Sequence, residues 1–436
     1  MGELSPGVDD LERLQQDAVG YFLRSTNRDN GLIADSSREG APCSIAATGL
    51  GLAAYVVAAE RGLLPRREAA GRTLTALRFF RDSPQGEEPD ATGLRGFYYH
   101  FLDMKTGRRV WECELSMIDT TILIAGVLTS GAYFSASADD EREIRELAGF
   151  LYERIDWPWA AAHGSVVSMG WKAGTGFLSY GWEGYSEAML LYVLGLGSPT
   201  HPLPEASYGA WTRSYQWENL YDIDFLFAAP LFIHQLSHLW IDFRGIQDPF
   251  MQEKRSDYFE NSRRATVVQR RYAVRNPLWC MGYGENCWGV TSGAGPGFSK
   301  QRAEGGIERQ FYGYVARGVP FGPDDGTLAP WATVASLPFA PEIVLAALRH
   351  FRNTYPEVVS KDGLLTSFNP TFGTGGGAPG GWLCPEHYGL DQGPVALMIE
   401  NYRSGFLWRL MRECPAIVTG LRRAGFRKGW LRSSHR

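Results

Sequence analysis

The segment GWEGYSEAMLLYVLGLG, residues 181–197, sets two carboxylates, Glu183 and Glu187, beside two rings, Trp182 and Tyr185, directly ahead of an apolar run. Splitting a glycosidic bond needs one carboxyl held protonated, to donate to the leaving oxygen, and a second kept ionised, to activate water or attack carbon. Flanking rings supply desolvation for the first and a stacking face for a sugar. Further acids in loops or at helix starts that qualify are Glu112, Glu114, Asp119, Glu285, Glu386 and Asp391. Each has a structural alternative. Asp119 stands three residues after Ser116, where the second half of a capping box falls. Glu187 lies in a first turn, where a negative side chain gains about 0.3–1 kcal/mol from the helix dipole. Asp391, ahead of Pro394, reads equally as an N-cap.

Three other patterns carry less. HQLSH puts His234 and His238 at i and i+4, but Gln235 stands where a zinc protease keeps its general-base glutamate, so a core or sugar-contacting histidine is expected. GTGGGAPGG, residues 373–381, lacks the Lys-Ser/Thr that grips phosphate and reads as a mobile loop. The mixed-charge segment 250–271 reads as a solvated outer face. Six cysteines form no CxxC pair, which leaves a zinc ribbon or a redox pair without support.

The elements that must hold these acids are mostly helices. Apolar residues recur at helical spacing in about twelve segments, including 228–243, one long polar stretch over 248–275 and one run over 393–414, while strand signals are few and short. Small-residue-rich apolar helices (44–62, 116–134) are each followed by a charged amphipathic one (66–82, 138–155), a pattern of inner and outer helices. Ser44, Ser116 and Ser186 stand at the N-cap positions of three inner helices, 72 and 70 residues apart. Twelve alternating helices close into an all-α (α/α)6 toroid, expected here as a single domain over residues 1–436. Its inner N-termini then share one end, where long loops rich in Gly, Trp and Tyr (93–115, 169–185, 281–298, 373–394) form one mouth.

A net charge of −5 without blocks of like sign excludes the electrostatic footprint of a nucleic-acid binder. No apolar run reaches the ~18 residues of a membrane span, and no basic-then-apolar leader opens the chain, so a cytoplasmic location is expected as written and a periplasmic or extracellular one if the sequence was trimmed.

Taken in order, GWEGYSEAMLLYVLGLGSPTHPL, HQLSHLWIDFRGIQD, YFENSRRAT, NPLWCMGYGENCWGVTSGAGP and GLDQGP resemble the bacterial glycoamylase-like domain, specifically glycoside hydrolase family 144, from about ELSMIDTTIL to the C-terminal helices. The resemblance implies an (α/α)6 toroid that hydrolyses β-1,2-glucan by inversion, with no metal and no other cofactor. It places the general acid on Glu187 and the base, or the organiser of the attacking water, on Asp391. Glu114 and Asp119 become sugar ligands or part of the proton path. Trp182, Tyr185, Trp288 and Trp382 are expected to stack on glucosyl rings, with Glu183 at the mouth and Arg95, His238 and Glu285 as hydroxyl ligands. Ser186 departs from the Asn common in related domains. The partner is a β-glucan oligosaccharide or polysaccharide. Endo or exo action and oligomeric state stay open, as do a glycan transglycosylase and a non-catalytic glucan-binding protein built on the same toroid, since fold does not fix function.

Overall fold

The structure is a computed structural model that describes residues 6–302, 308–360, 363–373 and 380–432. The central part of the glycine-rich loop, 374–379, expected to be mobile, lies outside the described residues.

Six apolar segments form an inner ring: Ile45–Glu60, Met117–Tyr133, Met189–Gly197, the two 3-10 turns Leu231–His234 and Leu236–Leu239, Pro330–Ala335, and Gly389–Arg403. The first three pack in that order, the 3-10 turns join their neighbours through Ser237 to the Glu187 carbonyl and Gln235 to the Ala332 carbonyl, and Gly389–Arg403 packs on Pro330–Ala335 and returns to the first, closing the (α/α)6 toroid. Outer partners are Arg66–Asp82, Asp139–Glu153, Pro415–Arg423, Tyr258–Arg275, Pro341–Thr354 and Pro6–Arg24. The assignment follows the pattern of apolarity: Ile45–Glu60 is buried without interruption from Ile45 to Ala58, whereas Arg66–Asp82 buries one stripe, including Leu74, Leu77 and Phe80.

Small residues let the inner helices touch by backbone. A Cβ on Gly126 would stand 1.9 Å from the Gly49 carbonyl oxygen, and one on Gly49 would stand 2.4 Å from that of Ile122. Ser44 and Ser116 cap as expected: the Ala47 N–H donates to Ser44 Oγ and the Asp119 N–H to Ser116 Oγ, each at 3.2 Å.

Four expectations need correction. The third inner helix opens at Met189, and Ser186 Oγ is buried without a partner among the described residues, so Ser186 is not its cap. The 228–243 segment forms 3-10 turns in place of one helix. The 248–275 stretch breaks into Pro249–Glu253 and Tyr258–Arg275, each capped by its own aspartate, Asp248 and Asp257. The last long run splits at Gly405, whose φ of 65° ends Gly389–Arg403 before Phe406–Arg412 begins.

Short strands organise the mouth. A five-stranded antiparallel sheet runs Gly93–Leu94, Phe97–Tyr99, Leu115–Ser116, Gly170–Lys172, Gly176–Phe177, with Tyr98 opposite Ser116 and Ser116 opposite Gly170. Two of the long loops are thus tied directly to the start of the Met117–Tyr133 helix.

Candidate active site

Two adjoining hollows open at this end of the ring. One, of about 600 Å³, is lined by Glu187, Asp119 and Asp391 among apolar walls from Ile118, Ile122, Phe232, Leu236 and Trp331. The other, of about 740 Å³, is lined by Asp35, His100, Phe101, Thr366 and Tyr388. Asp119, Tyr314, Leu390 and Asp391 belong to both, so they form one cleft with its acids near the middle.

Asp119 is placed by its helix start. Ser116 Oγ accepts its N–H and donates back to its carboxylate at 2.5 Å, so the capping role is real and coexists with a place in the cleft. Glu187 lies in the turn just before Met189, outside the first helical turn, so the dipole benefit does not apply to it as expected. Burial pushes its carboxyl up to about 7; the Asp119 charge adds to this, and its own N–H pulls the other way. Asp391 is the third residue of Gly389–Arg403, whose N-cap is Tyr388, so Asp391 is not the cap. It is 6% exposed and its Oδ2 has no partner among the described residues. Burial raises it to about 8, with the Thr366 hydroxyl opposing and Asp35 adding.

The opposite wall holds a charged chain. His100 Nδ1 lies 2.8 Å from Glu114 Oε1 and Nε2 lies 3.5 Å from Asp119 Oδ2, while the ring stacks on Phe101 at 3.9 Å. Burial works against the imidazolium, but Asp119, Glu114 and Asp35 raise it to about 9. In return, the bond to His100 holds Glu114 below the usual carboxylate range. Neither hollow is lined by a lysine or arginine, so His100 is the cation among these acids. Asp35, raised to about 6 mainly by burial, completes the group.

Sequence reasoning passed over Asp35, His100 and Tyr314. Asp35 reaches the cleft because Ser36 bridges Tyr388 and the Asp35 carbonyl accepts the Gly389 N–H at 2.9 Å, a pairing across most of the chain. Tyr314 is carried by a loop pinned from within. Arg317, fully buried, donates to Asp325 at 2.8 and 2.9 Å and to the carbonyls of Gly293, Tyr312 and Gly313.

Other expected residues lie elsewhere. His238 is 2% exposed, bonded to Ser262 at 2.9 Å and pushed down to about 3 by burial. Trp288 is fully buried in the core. Arg95 pairs with Asp156 at 2.8 Å, and Glu285 pairs with Arg270 on the surface. Trp382 sits in a strand paired with Phe368–Asn369. Tyr185 packs against Tyr215, His234 and Tyr258, while Trp182 is half-buried and Glu183 exposed; none of the three lines either hollow. Among the described residues, no group of three or more His, Cys, Asp or Glu is arranged to hold a metal ion, and no helix is long and apolar enough to cross a membrane.

The glycoamylase family model, described as "putative glucoamylase", matches residues 179–415, more than half of the chain. An exo β-1,2-glucooligosaccharide sophorohydrolase of Parabacteroides distasonis is 26% identical over 95% of this chain; the chain spans 57% of that relative's length. Among solved structures, a "putative glucoamylase" from Bacteroides uniformis superposes with a TM-score of 0.86 at 28% identity, covering 99% of this chain and 100% of that one. An endo-β-1,2-glucanase from Chitinophaga pinensis, bound to sophorotriose and glucose, shares the fold with a TM-score of 0.85 at 24% identity, covering 98% and 100%.

Proposed function

The chain belongs to the glycoamylase family, and from that premise we propose that it is a glycoside hydrolase that cleaves β-1,2-linked glucan by inversion, the whole chain acting as one catalytic unit. One observation carries the reading. Three acids at or just before the starts of separate inner-ring segments, Glu187, Asp119 and Asp391, converge on one sugar-sized cleft whose remaining lining is largely apolar or aromatic.

In the proposed reaction Glu187 protonates the interglycosidic oxygen. Its site suits that role: burial keeps the proton on near neutral pH, and the neighbouring Asp119 charge opposes its loss. Asp391, which lines the same hollow, draws a proton from the water that attacks the anomeric carbon, directly or through a sugar hydroxyl. Asp119 and Glu114, the latter held ionised by its bond to His100, accept hydrogen bonds from hydroxyls of the bound glucan. Desolvation of the cleft on binding strengthens each of these contacts.

The test is incubation with linear β-1,2-glucan, and separately with β-1,3- and β-1,4-glucans, with products resolved by size and anomeric form. Turnover confined to the β-1,2 polymer, with inverted reducing ends, is expected. Sophorose alone would mark exo action and a ladder endo action. Binding without turnover, or retained anomeric configuration, would overturn the proposal.

A further inference from the structure

Trp111 is exposed over 66% of its surface, in a protein that otherwise encloses most of its indoles. Its backbone is left-handed, φ 57°, and so is that of Glu112, φ 49°. Such a conformation disfavours any residue with a Cβ, by roughly 1 kcal/mol each. Two successive residues of this kind, neither of them glycine, are held in place by the turn around them. The Val110 N–H donates to the Phe101 carbonyl at 3.2 Å and the Cys113 N–H to that of Val110 at 3.1 Å. Cys113 Sγ closes the other side, lying 3.3 Å from the Phe101 nitrogen and 3.4 Å from its oxygen.

This anchoring fixes where the indole stands. The Trp111 ring meets the Phe101 ring edge-on at a centroid distance of 5.3 Å, and Phe101 lines the cleft beside His100. Trp111 therefore extends the cleft wall outward from the Asp35–His100 end, the end away from Glu187. Other exposed rings, such as Trp279 at 78% and Tyr180 at 72%, pair with no ring of the cleft wall among the described residues.

We propose that Trp111 is an outer sugar-binding platform, on which a glucosyl unit of the substrate stacks after the chain leaves the cleft past Phe101. A rigid, solvent-facing indole continuous with the polar Asp35–His100 end of the cleft suits the apolar face of a neutral pyranose, and no charged ligand is needed. Because the platform lies beyond the cleft, it selects for chain length and leaves bond cleavage to the acids. The inference rests on the proposed β-glucan hydrolysis.

The test compares kcat/KM on a long linear β-1,2-glucan with that on a short β-1,2-oligosaccharide that the cleft alone can hold. Trp111→Ala is expected to lower the long-to-short ratio roughly 3- to 10-fold, the worth of one aromatic stacking contact. Trp111→Tyr should keep most of the ratio. Trp111→Gly, which suits the left-handed backbone, should melt above Trp111→Ala and show the same lowered ratio, which separates loss of the ring from loss of folding. An active wild type whose ratio is unmoved in both Trp111→Ala and Trp111→Gly overturns the inference alone. A wild type that turns over neither substrate overturns the hydrolase reading and this inference with it.

Discussion

If Glu187 donates the proton and Asp391 is the base, the productive ionisation state has the carboxyl near 7 protonated and the one near 8 ionised. That order is inverted. Taken as independent sites, the required state peaks near pH ~7.5 at roughly 6% of the protein, and kcat/KM should follow a bell with limbs about 7 and 8. Glu187→Gln should lower kcat/KM on β-1,2-glucan by about 10²–10⁴-fold, equivalent to roughly 3–5 kcal/mol of barrier. A nitrophenyl β-glycoside supplies the discriminating assay, since its leaving group departs without a proton. On that substrate the same variant should lose less than about tenfold. Its profile should lose the alkaline limb, rise until Asp391 ionises at about 8, and then stay flat. Equal losses on both substrates, with the alkaline limb intact, would show that Glu187 is not the donor.

Asp391→Asn should abolish turnover and also change stability. A carboxyl raised from 3.8 to about 8 keeps its proton in the folded state, so its contribution is complete below 3.8 and is lost as pH rises to about 8. Across that window the variant should remove about 1.4 kcal/mol per pH unit of decline, read by urea denaturation at a series of pH values. His100→Gln should let the Glu114 carboxyl rise back toward the ordinary carboxylate range, so that it protonates more readily, and lower kcat at acid pH more than at alkaline pH, seen in the rate profile. Arg317→Met should strand Asp325 in the core and cost about 3–5 kcal/mol in chemical denaturation, with activity falling as the Tyr314 loop loosens.

The ring of helices was legible because uninterrupted apolarity and one-sided apolarity separate inner from outer segments, and because Ser44 and Ser116 mark two inner starts by the same bond. Ser186 followed the same spacing and failed. Gly184, at φ 81°, turns the chain there and donates to the Trp211 carbonyl, so the helix waits until Met189. Glu187, Asp119 and Asp391 could be found because each stands at or beside an inner start. Asp35 and His100 could not, since Asp35 arrives through the bridge of its neighbour Ser36 to Tyr388 and His100 through a sheet that no local periodicity announces. Residue type misled in the other direction: His238 and Trp288 suit a sugar chemically, but the fold uses them as core.

The backbone contact at Gly49 and Gly126 has a consequence for how such a protein diversifies. The bore of the ring is gauged there by main-chain atoms, so a single added methyl at either position would wedge two inner helices apart and tilt the Ser116 end that carries Asp119. Adaptation to a new glycan therefore has little freedom in the staves of the barrel, and must be written in the loops that crown it.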